Sequence, residues 1–227
     1  NKPNLPENES WRPKTETPQR DNHTKIPKLN PKNAEILKNK RNAFYNLGNY
    51  NEATTYHNEP PRYPKNVVIL CNMGNAFYNL GNYNGALTYY KEALKLDPKN
   101  AVTLCNMGNA FYNLGNYNEA LTYYKEALEL DPKNVVILKK MGNAFYKLGN
   151  YNGALTYYKE ALELDPKNVV ILCHIGNAFH HLGNYNEALT YYKEALKLDP
   201  KNVVILRNMG NAFHHLGNYN EALTYYK

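Results

Sequence analysis

An internal repeat that is nearly verbatim constrains this chain of 227 residues more than any other feature. One unit of 34 residues recurs at constant period, at 67–100, 101–134, 135–168, 169–202 and, as a partial copy, 203–227. A degenerate copy one residue shorter covers 34–66. A period of this length is typical of solenoids, in which each unit buries its apolar side only against its neighbours. The sequence therefore predicts a stack of similar units.

Each unit predicts a pair of amphipathic helices, because apolar residues recur at helical spacing in two runs. In unit 101–134 these residues are Leu104, Met107, Ala110, Phe111 and Leu114, then Ala120, Tyr123, Tyr124, Ala127, Leu128 and Leu130. Small residues at Gly108, Ala120 and Ala127 predict that the two helices approach closely.

The predicted helix ends follow from capping chemistry. Asn100 is placed to cap the first helix, and Gly115 stands where a left-handed residue ends it. Residues 116–119 have the capping-box spacing for the second helix, with Asn116 and Glu119 as partners. Asp131 ends that helix because it precedes Pro132, and a residue before proline disfavours the helical region.

Eight positions of the unit resemble the signature of the tetratricopeptide repeat family; in 101–134 they are Leu104, Met107, Gly108, Phe111, Ala120, Tyr124, Ala127 and Pro132. Leu104 replaces the Trp that is frequent there. The resemblance is close over 67–227 and loose over 34–66. It implies an all-α, right-handed superhelical solenoid with first helices lining a concave groove, and a function in binding proteins or peptides.

The same resemblance implies which first-helix positions face the groove: the second, fifth, sixth, ninth, twelfth and thirteenth. They carry mainly amides and phenols and little charge, and an amide can pair with both the carbonyl and the N–H of an extended backbone. The predicted residues for binding a peptide or protein are Lys38, Asn42, Asn72, Asn75, Tyr78, Asn106, Asn109, Tyr112, Lys139, Asn143, Tyr146, His174, Asn177, Asn208 and Asn211.

Asn72, Asn106 and Asn208 look like the asparagine ladder in the repeat region of O-linked N-acetylglucosamine transferases, although Lys140 and His174 interrupt the series. The chain contains no glycosyltransferase domain, so only backbone-directed peptide binding is implied. The alternative is that Asn is simply favoured throughout this chain.

The family's carboxylate clamp, which holds acidic C-termini of chaperones, is not expected here. Lys38, Asn42 and Asn72 match its first three positions. The second and sixth positions of the third repeat, which should be cations, are Val102 and Asn106.

Histidines cluster in the last two units. His180 and His214 hold equivalent positions, as do His181 and His215, so stacking could bring their rings together. Imidazole is a common metal ligand and pH switch. No carboxylate in the motif is placed to orient a ring, which favours a solvated groove wall without a metal.

No catalytic site is expected. Cys71, Cys105 and Cys173 share one repeat position, and helices about 10 Å apart lie beyond disulfide reach, so they are predicted to be free thiols. The sequence has no phosphate loop, paired-carboxylate site or zinc spacing, and neither enzyme activity nor a cofactor is expected.

Residues 1–33 are rich in Pro and charge and are expected to be extended or disordered. Trp11 is either an incidental aromatic or an anchor that docks on another subunit or on a partner. The sequons at Asn8 and Asn22 are either chance in an Asn-rich chain or glycosylation sites, and the compartment is cytoplasmic or, if they are used, extracellular.

The two ends of the repeat array suggest a rival, structural role. Pro60 and Pro61 forbid a regular second helix in 34–66, which predicts a worn first unit. Unit 203–227 is followed by no polar capping helix, so either the chain has been cut or its open end is covered. In the second case subunits would join head to tail into a filament, with contacts from Trp11, Tyr219, Tyr225 and Tyr226.

The net charge of +7 suggests a nucleic-acid or anionic surface, but its distribution argues against that. Residues 1–33 carry +3, residues 34–66 carry +2 and residues 67–227 carry only +2. The array is therefore expected to be nearly neutral, and nucleic acid is not an expected partner. No run of 18 apolar residues exists, so no membrane span is expected.

Overall fold

The computed structural model describes residues 48–52 and 66–226. Residues 66–226 form five helix pairs: α1 (Val67–Asn79), α2 (Tyr83–Leu96), α3 (Ala101–Asn113), α4 (Tyr117–Leu130), α5 (Val135–Lys147), α6 (Tyr151–Leu164), α7 (Val169–His181), α8 (Tyr185–Leu198), α9 (Val203–His215) and α10 (Tyr219–Tyr225). The odd-numbered helices are called first helices and the even-numbered ones second helices.

The caps of the first helices form as predicted. Asn100 accepts a hydrogen bond from the Thr103 backbone N–H at 3.0 Å, which satisfies one of the free donors at the start of α3. Gly115 adopts φ +81°, a left-handed conformation that suits glycine. The chain then turns so that the Asn116 N–H reaches the Phe111 carbonyl at 2.9 Å. α4 ends at Leu130, with Asp131 as its C-cap.

The predicted capping box at 116–119 is wrong. Asn116 makes no side-chain cap bond, nor does Asn184 in the equivalent place, and both are followed by Glu at the third helical position. Asn82 does cap, accepting from the Gly85 N–H at 2.9 Å. A Cβ on Gly85 would lie 3.0 Å from the Asn82 amide carbon and nitrogen, so a side chain at this position crowds the capping rotamer.

Within each repeat, a tyrosine ring fills the gap left by a glycine. A Cβ on Gly108 would lie 2.4 Å from the ring of Tyr124, which is only 1% exposed. Ala120 and Ala127 are fully buried on the same face, as predicted. Leu130, predicted to belong to this apolar stripe, is 42% exposed because it lies in the last turn, beside an exposed connection.

Neighbouring repeats share one continuous core. Each second helix packs against the first helix of the next repeat, and the first helices α1 and α3, and α7 and α9, also contact one another. The core cluster around Leu138 joins residues of α5, α6 and α7. The predicted all-α array of sequential helix pairs is confirmed. Among the described residues, no helix has the length and apolar character needed to cross a membrane.

Candidate functional site

Three pockets of about 190, 210 and 310 Å³ lie in register along the first helices and are named after their central helices. The α3 pocket is lined by Tyr78, Asn109, Tyr112, Asn113, Tyr124, Lys140 and Asn143. The α5 pocket is lined by the residues 34 positions later, Tyr112, Asn143, Tyr146, Lys147, Tyr158, His174 and Asn177. The α7 pocket advances by the same step, with Tyr146, Asn177, His180, His181, Tyr192, Asn208 and Asn211, and adds Val204 and Arg207.

Many of the residues predicted to bind a peptide line these pockets: Tyr78, Asn109, Tyr112, Asn143, Tyr146, His174, Asn177, Asn208 and Asn211. Asn72, Asn75, Asn106 and Lys139 lie on the same first helices but line none of the three pockets. Lys38, Asn42, Trp11, Asn8 and Asn22 lie outside the described residues.

The ninth-position asparagine of every first helix is fixed by a tyrosine from its own repeat. Asn109 Oδ1 accepts a hydrogen bond from the Tyr124 hydroxyl at 3.0 Å. Equivalent bonds of 2.7–2.8 Å join Asn75 to Tyr90, Asn143 to Tyr158, Asn177 to Tyr192 and Asn211 to Tyr226. Burial raises the pKa of the Tyr124 hydroxyl, so it stays a neutral donor.

A second donor reaches several of these oxygens from the next repeat. Lys140 Nζ donates to Asn109 Oδ1 at 2.7 Å, and Asn208 Nδ2 donates to Asn177 Oδ1 at 2.9 Å. An ammonium group can only donate, so Asn109 must turn its oxygen toward Lys140. The Asn109 amide therefore has its NH₂ group left for a ligand. The sequence pattern predicted an amide offering both donor and acceptor, and it missed this internal use of the oxygen.

The sixth position carries a different group in each pocket. Burial lowers the pKa of the Lys140 ammonium in the α3 pocket. In the α5 pocket, burial and then the nearby Lys139 charge lower the pKa of His174. Its ring packs against Tyr158 at 5.2 Å, and its Nδ1 is buried without a hydrogen-bond partner among the described residues. In the α7 pocket the position is Asn208.

Aromatic rings form the wall between the pockets. His181 stacks on Tyr151 of the preceding repeat with centroids 4.9 Å apart, and His215 stacks on Tyr185 at the same distance. His180 and His215 meet edge to face at 5.1 Å. Stacking of the repeats therefore joins imidazoles of α7 and α9. Nowhere in the described ranges do three or more His, Cys, Asp or Glu side chains group as metal ligands would.

Charge is segregated between the two sets of helices. The five first helices carry no Asp or Glu and four basic residues, Lys139, Lys140, Lys147 and Arg207. The five second helices carry nine Glu and six Lys. The first helices therefore carry a small excess of positive charge, confined to α5 and α9, within an array that is nearly neutral as a whole. The net charge of the chain gives no sign of this, because the opposite charges on the second helices cancel it.

The three cysteines are free thiols, as predicted. Burial raises the pKa of each, to about 11 for Cys173. A thiol with a raised pKa carries little thiolate at neutral pH, so these groups are poor nucleophiles.

A stack of helix pairs with a polar groove along its first helices defines a helical-repeat solenoid. Residues 74–115, 142–183 and 176–217 match the sequence profile described as TPR repeat, and residues 101–134 match that described as tetratricopeptide repeat. The chain belongs to the tetratricopeptide repeat family. No curated protein sequence matches it significantly.

Solved structures share this fold at low sequence identity. A tetratricopeptide repeat protein from Parabacteroides merdae superposes with a TM-score of 0.75 at 23% identity, covering 86% of this chain and 77% of that one. MamA from Desulfovibrio magneticus gives 0.68 at 21% identity, covering 70% and 90%. YrrB, described as a TPR protein with an unusual peptide-binding site, gives 0.61 at 24% identity, covering 70% and 82%.

Proposed function

We propose that this chain is a non-enzymatic interaction scaffold whose groove binds an extended segment of another protein. The observation that carries the proposal is the row of ninth-position asparagines, each with its oxygen held by a tyrosine of its own repeat. Their NH₂ groups recur once per repeat along the same side of the stack. Peptide carbonyls are hydrogen-bond acceptors, so a row of fixed donors suits an extended backbone.

The surroundings of these donors favour the same partner. Tyr112 lies in both the α3 and α5 pockets, and Tyr146 in both the α5 and α7 pockets, so rigid rings separate one donor from the next. Tyrosine offers contact area at low entropic cost together with a polar tip. The basic residues of α5 and α9 add a preference for acidic segments over basic ones. YrrB, which has the same fold, is described as a peptide-binding protein.

Isosteric substitutions separate binding from folding. Asn109→Asp keeps an oxygen for Tyr124 and Lys140 but replaces the free NH₂ group with a second oxygen. Peptides selected from a random display library on the full chain should bind this variant at least about tenfold more weakly by fluorescence anisotropy. Its thermal stability should hold or rise, because Lys140 gains a counterion.

Asn118→Asp is the matched control, since it makes the same chemical change at an exposed position of α4, outside the groove. Its affinity should equal that of the wild-type chain. A broader variant, Asn72→Ala with Asn106→Ala and Tyr112→Ala, should abolish binding of the same peptides. Unchanged affinity in both groove variants would refute the proposal.

A second candidate function, head-to-tail self-assembly, is favoured by the apolar surface of the last helix pair. Leu223 is 60% exposed, whereas its equivalents Leu155 and Leu189 are 7% and 5% exposed beneath the following repeat. Tyr219 and Tyr226 are 60% and 47% exposed. A further helix placed as in the other repeats would cover this surface.

Not every predicted assembly residue is available, because Tyr225 stacks on Phe213 of its own repeat at 5.4 Å. Light scattering over a concentration series tests the candidate. Loss of self-association in Leu223→Glu would support the candidate. The control is Leu80→Glu, at the exposed C-cap of α1, which should leave self-association intact. A monomer at every concentration would exclude it.

A further inference from the structure

The α7 pocket differs from the other two in the groups that surround it. It lies between α7 and α9, has a volume of about 310 Å³ and is lined by His180, His181 and Arg207 together with Asn177, Asn208 and Asn211. No carboxylate lines it. The exposed Arg207 side chain forms no ion pair among the described residues. Its guanidinium carries five donors and no acceptor.

The amides of this pocket add donors. Asn177 Oδ1 already accepts from the Tyr192 hydroxyl at 2.7 Å and from Asn208 Nδ2 at 2.9 Å. Asn211 Oδ1 accepts from the Tyr226 hydroxyl at 2.8 Å. The NH₂ groups of Asn177 and Asn211 are therefore left for a ligand. Donors and positive charge dominate the pocket, which suits a group with several acceptor oxygens and negative charge.

His180 supplies an unsatisfied polar atom in the same place. Its Nε2 is buried and has no hydrogen-bond partner among the described residues. Buried polar atoms in folded proteins are nearly always paired, and a turn of the ring toward the pocket would let a ligand supply the missing partner. Burial, then the charges of His215 and His181, lower the pKa of His180, which keeps it neutral near pH 7. A negative group at Nε2 would favour the protonated ring.

The titratable groups around His180 come from four helices and are all neutral or cationic: Tyr146 on α5, His181 on α7, Tyr185 and Tyr192 on α8, and Arg207 and His215 on α9. A bound anion would thus be the first negative charge close to the His180 ring.

We propose that the α7 pocket is an oxyanion subsite, which takes a carboxylate or phosphoryl group of the bound segment and binds it more tightly as the pH falls. The proposal rests on the proposed function for the origin of the anion, but the pocket itself is testable without a peptide. Arg207 attracts the anion, the amide NH₂ groups and His180 Nε2–H hydrogen-bond to its oxygens, and the ring takes up one proton on binding. The imidazoles stand at the twelfth and thirteenth positions, which the carboxylate clamp does not use, whereas Arg207 and Asn211 hold the fifth and ninth positions with which the clamp begins.

The probes are sodium sulfate and sodium acetate, titrated into the ¹⁵N-labelled full chain at constant ionic strength in chloride. Both keep their charge between about pH 5.5 and 7.5, so any pH dependence belongs to the protein. Imidazole and guanidinium signals of His180 and Arg207 should shift saturably. Affinity should rise at least about fivefold from pH 7.5 to about 5.5. Stronger sulfate binding assigns the subsite to phosphoryl groups, and equal or stronger acetate binding assigns it to carboxylates.

The chain supplies its own matched variants, because other repeats hold different residues at these positions. Arg207→Cys installs the residue found at Cys71, Cys105 and Cys173, and should weaken binding by about tenfold. His180→Tyr with His181→Asn converts the site to the residues of the α3 pocket and should remove the pH dependence. Unfolding curves of the variants should match that of the wild-type chain.

Shifts that stay linear in anion concentration, or that both variants retain, would overturn the proposal. A failure of peptide binding with intact sulfate or acetate binding would instead count against the proposed function alone.

Discussion

The α3 and α7 pockets occupy the same place in the repeat and have different chemistry. In both pockets the side-chain oxygen of the ninth-position asparagine accepts two hydrogen bonds. One comes from a buried tyrosine, and the other from the sixth-position residue of the next repeat. In the α3 pocket the second donor is the charged Lys140 itself, so its ammonium is bonded to the Asn109 oxygen. In the α7 pocket Asn208 plays that part, and the cation, Arg207, stays free in the groove.

The difference shows how a strict repeat still builds distinct sites. The repeated glycine, tyrosine and ninth-position asparagine form a frame that is the same in every repeat, because their packing and hydrogen bonds depend on each other. Positions five, six, twelve and thirteen border the groove, where a change of residue leaves the packing of the frame intact. Variation there changes the charge of a pocket, and its volume from about 190 to about 310 Å³, while the frame is kept.

The largest expected effect comes from breaking the shared frame. In Gly108→Ala and Gly176→Ala the new Cβ would lie 2.4 Å from a buried tyrosine ring. Overpacking costs about 3 kcal/mol, which exceeds the gain in helix propensity of about 1 kcal/mol, so each variant should lose about 2 kcal/mol. Denaturant unfolding measures this. Gly153→Glu is the comparison, since Glu119 and Glu187 stand at equivalent positions: it gives up only the exposed Asn150 cap bond and gains helix propensity, so it should change stability by less than about 1 kcal/mol.

A smaller, equal effect is expected when the frame loses one hydrogen bond. Tyr124→Phe and Tyr192→Phe each remove the hydroxyl that donates to a partly buried asparagine oxygen, which keeps its other donor. Each should lower the free energy of unfolding by about 1 kcal/mol. A cost at one pocket that is several times the cost at the other would show that the two frames are not equivalent.

Lys140→Asn gives the α3 pocket the sixth-position residue of the α7 pocket. The pH dependence of its stability tests whether the buried cation distinguishes the two pockets. Burial holds the pKa of Lys140 below 10.5 in the folded chain, so folding disfavours its charged form. This penalty is present at neutral pH and disappears as the pH rises from the lowered pKa toward 10.5. The melting temperature of the variant minus that of the wild-type chain should therefore be greatest at neutral pH and shrink toward pH 10.5.

The control for that series is Lys125→Asn, an exposed change on α4 that measures the general effect of removing one positive charge. If the melting-temperature differences of Lys140→Asn and Lys125→Asn changed with pH in the same way, burial would not penalise the charged form of Lys140.

The smallest expected effect comes from giving imidazoles to the α3 pocket. Tyr112→His with Asn113→His copies His180 and His181, but Lys140 remains bonded to Asn109, and Lys139, the counterpart of Arg207, does not line the pocket. Sulfate affinity at about pH 5.5 should rise by less than about threefold. Affinity equal to that of the α7 pocket would show that imidazoles suffice without the guanidinium.

Local chemistry made much of the fold predictable. The period and the apolar spacing indicated the helix pairs, and Asn100, Gly115 and Pro132 marked helix ends, because these signals act between residues a few positions apart. The capping box at Asn116 failed because the pattern does not show that a Cβ at the third helical position crowds the asparagine rotamer. The groove residues were predicted only through the family resemblance.

The sequence by itself determined the repeat, its helices and the residue types along the groove, since each depends on near neighbours in the chain. The tertiary structure decided what those residues offer to a partner. Asn109 meets Tyr124 and Lys140 from 15 and 31 residues away only when the helices stack. Stacking occupies its oxygen and leaves its NH₂ group.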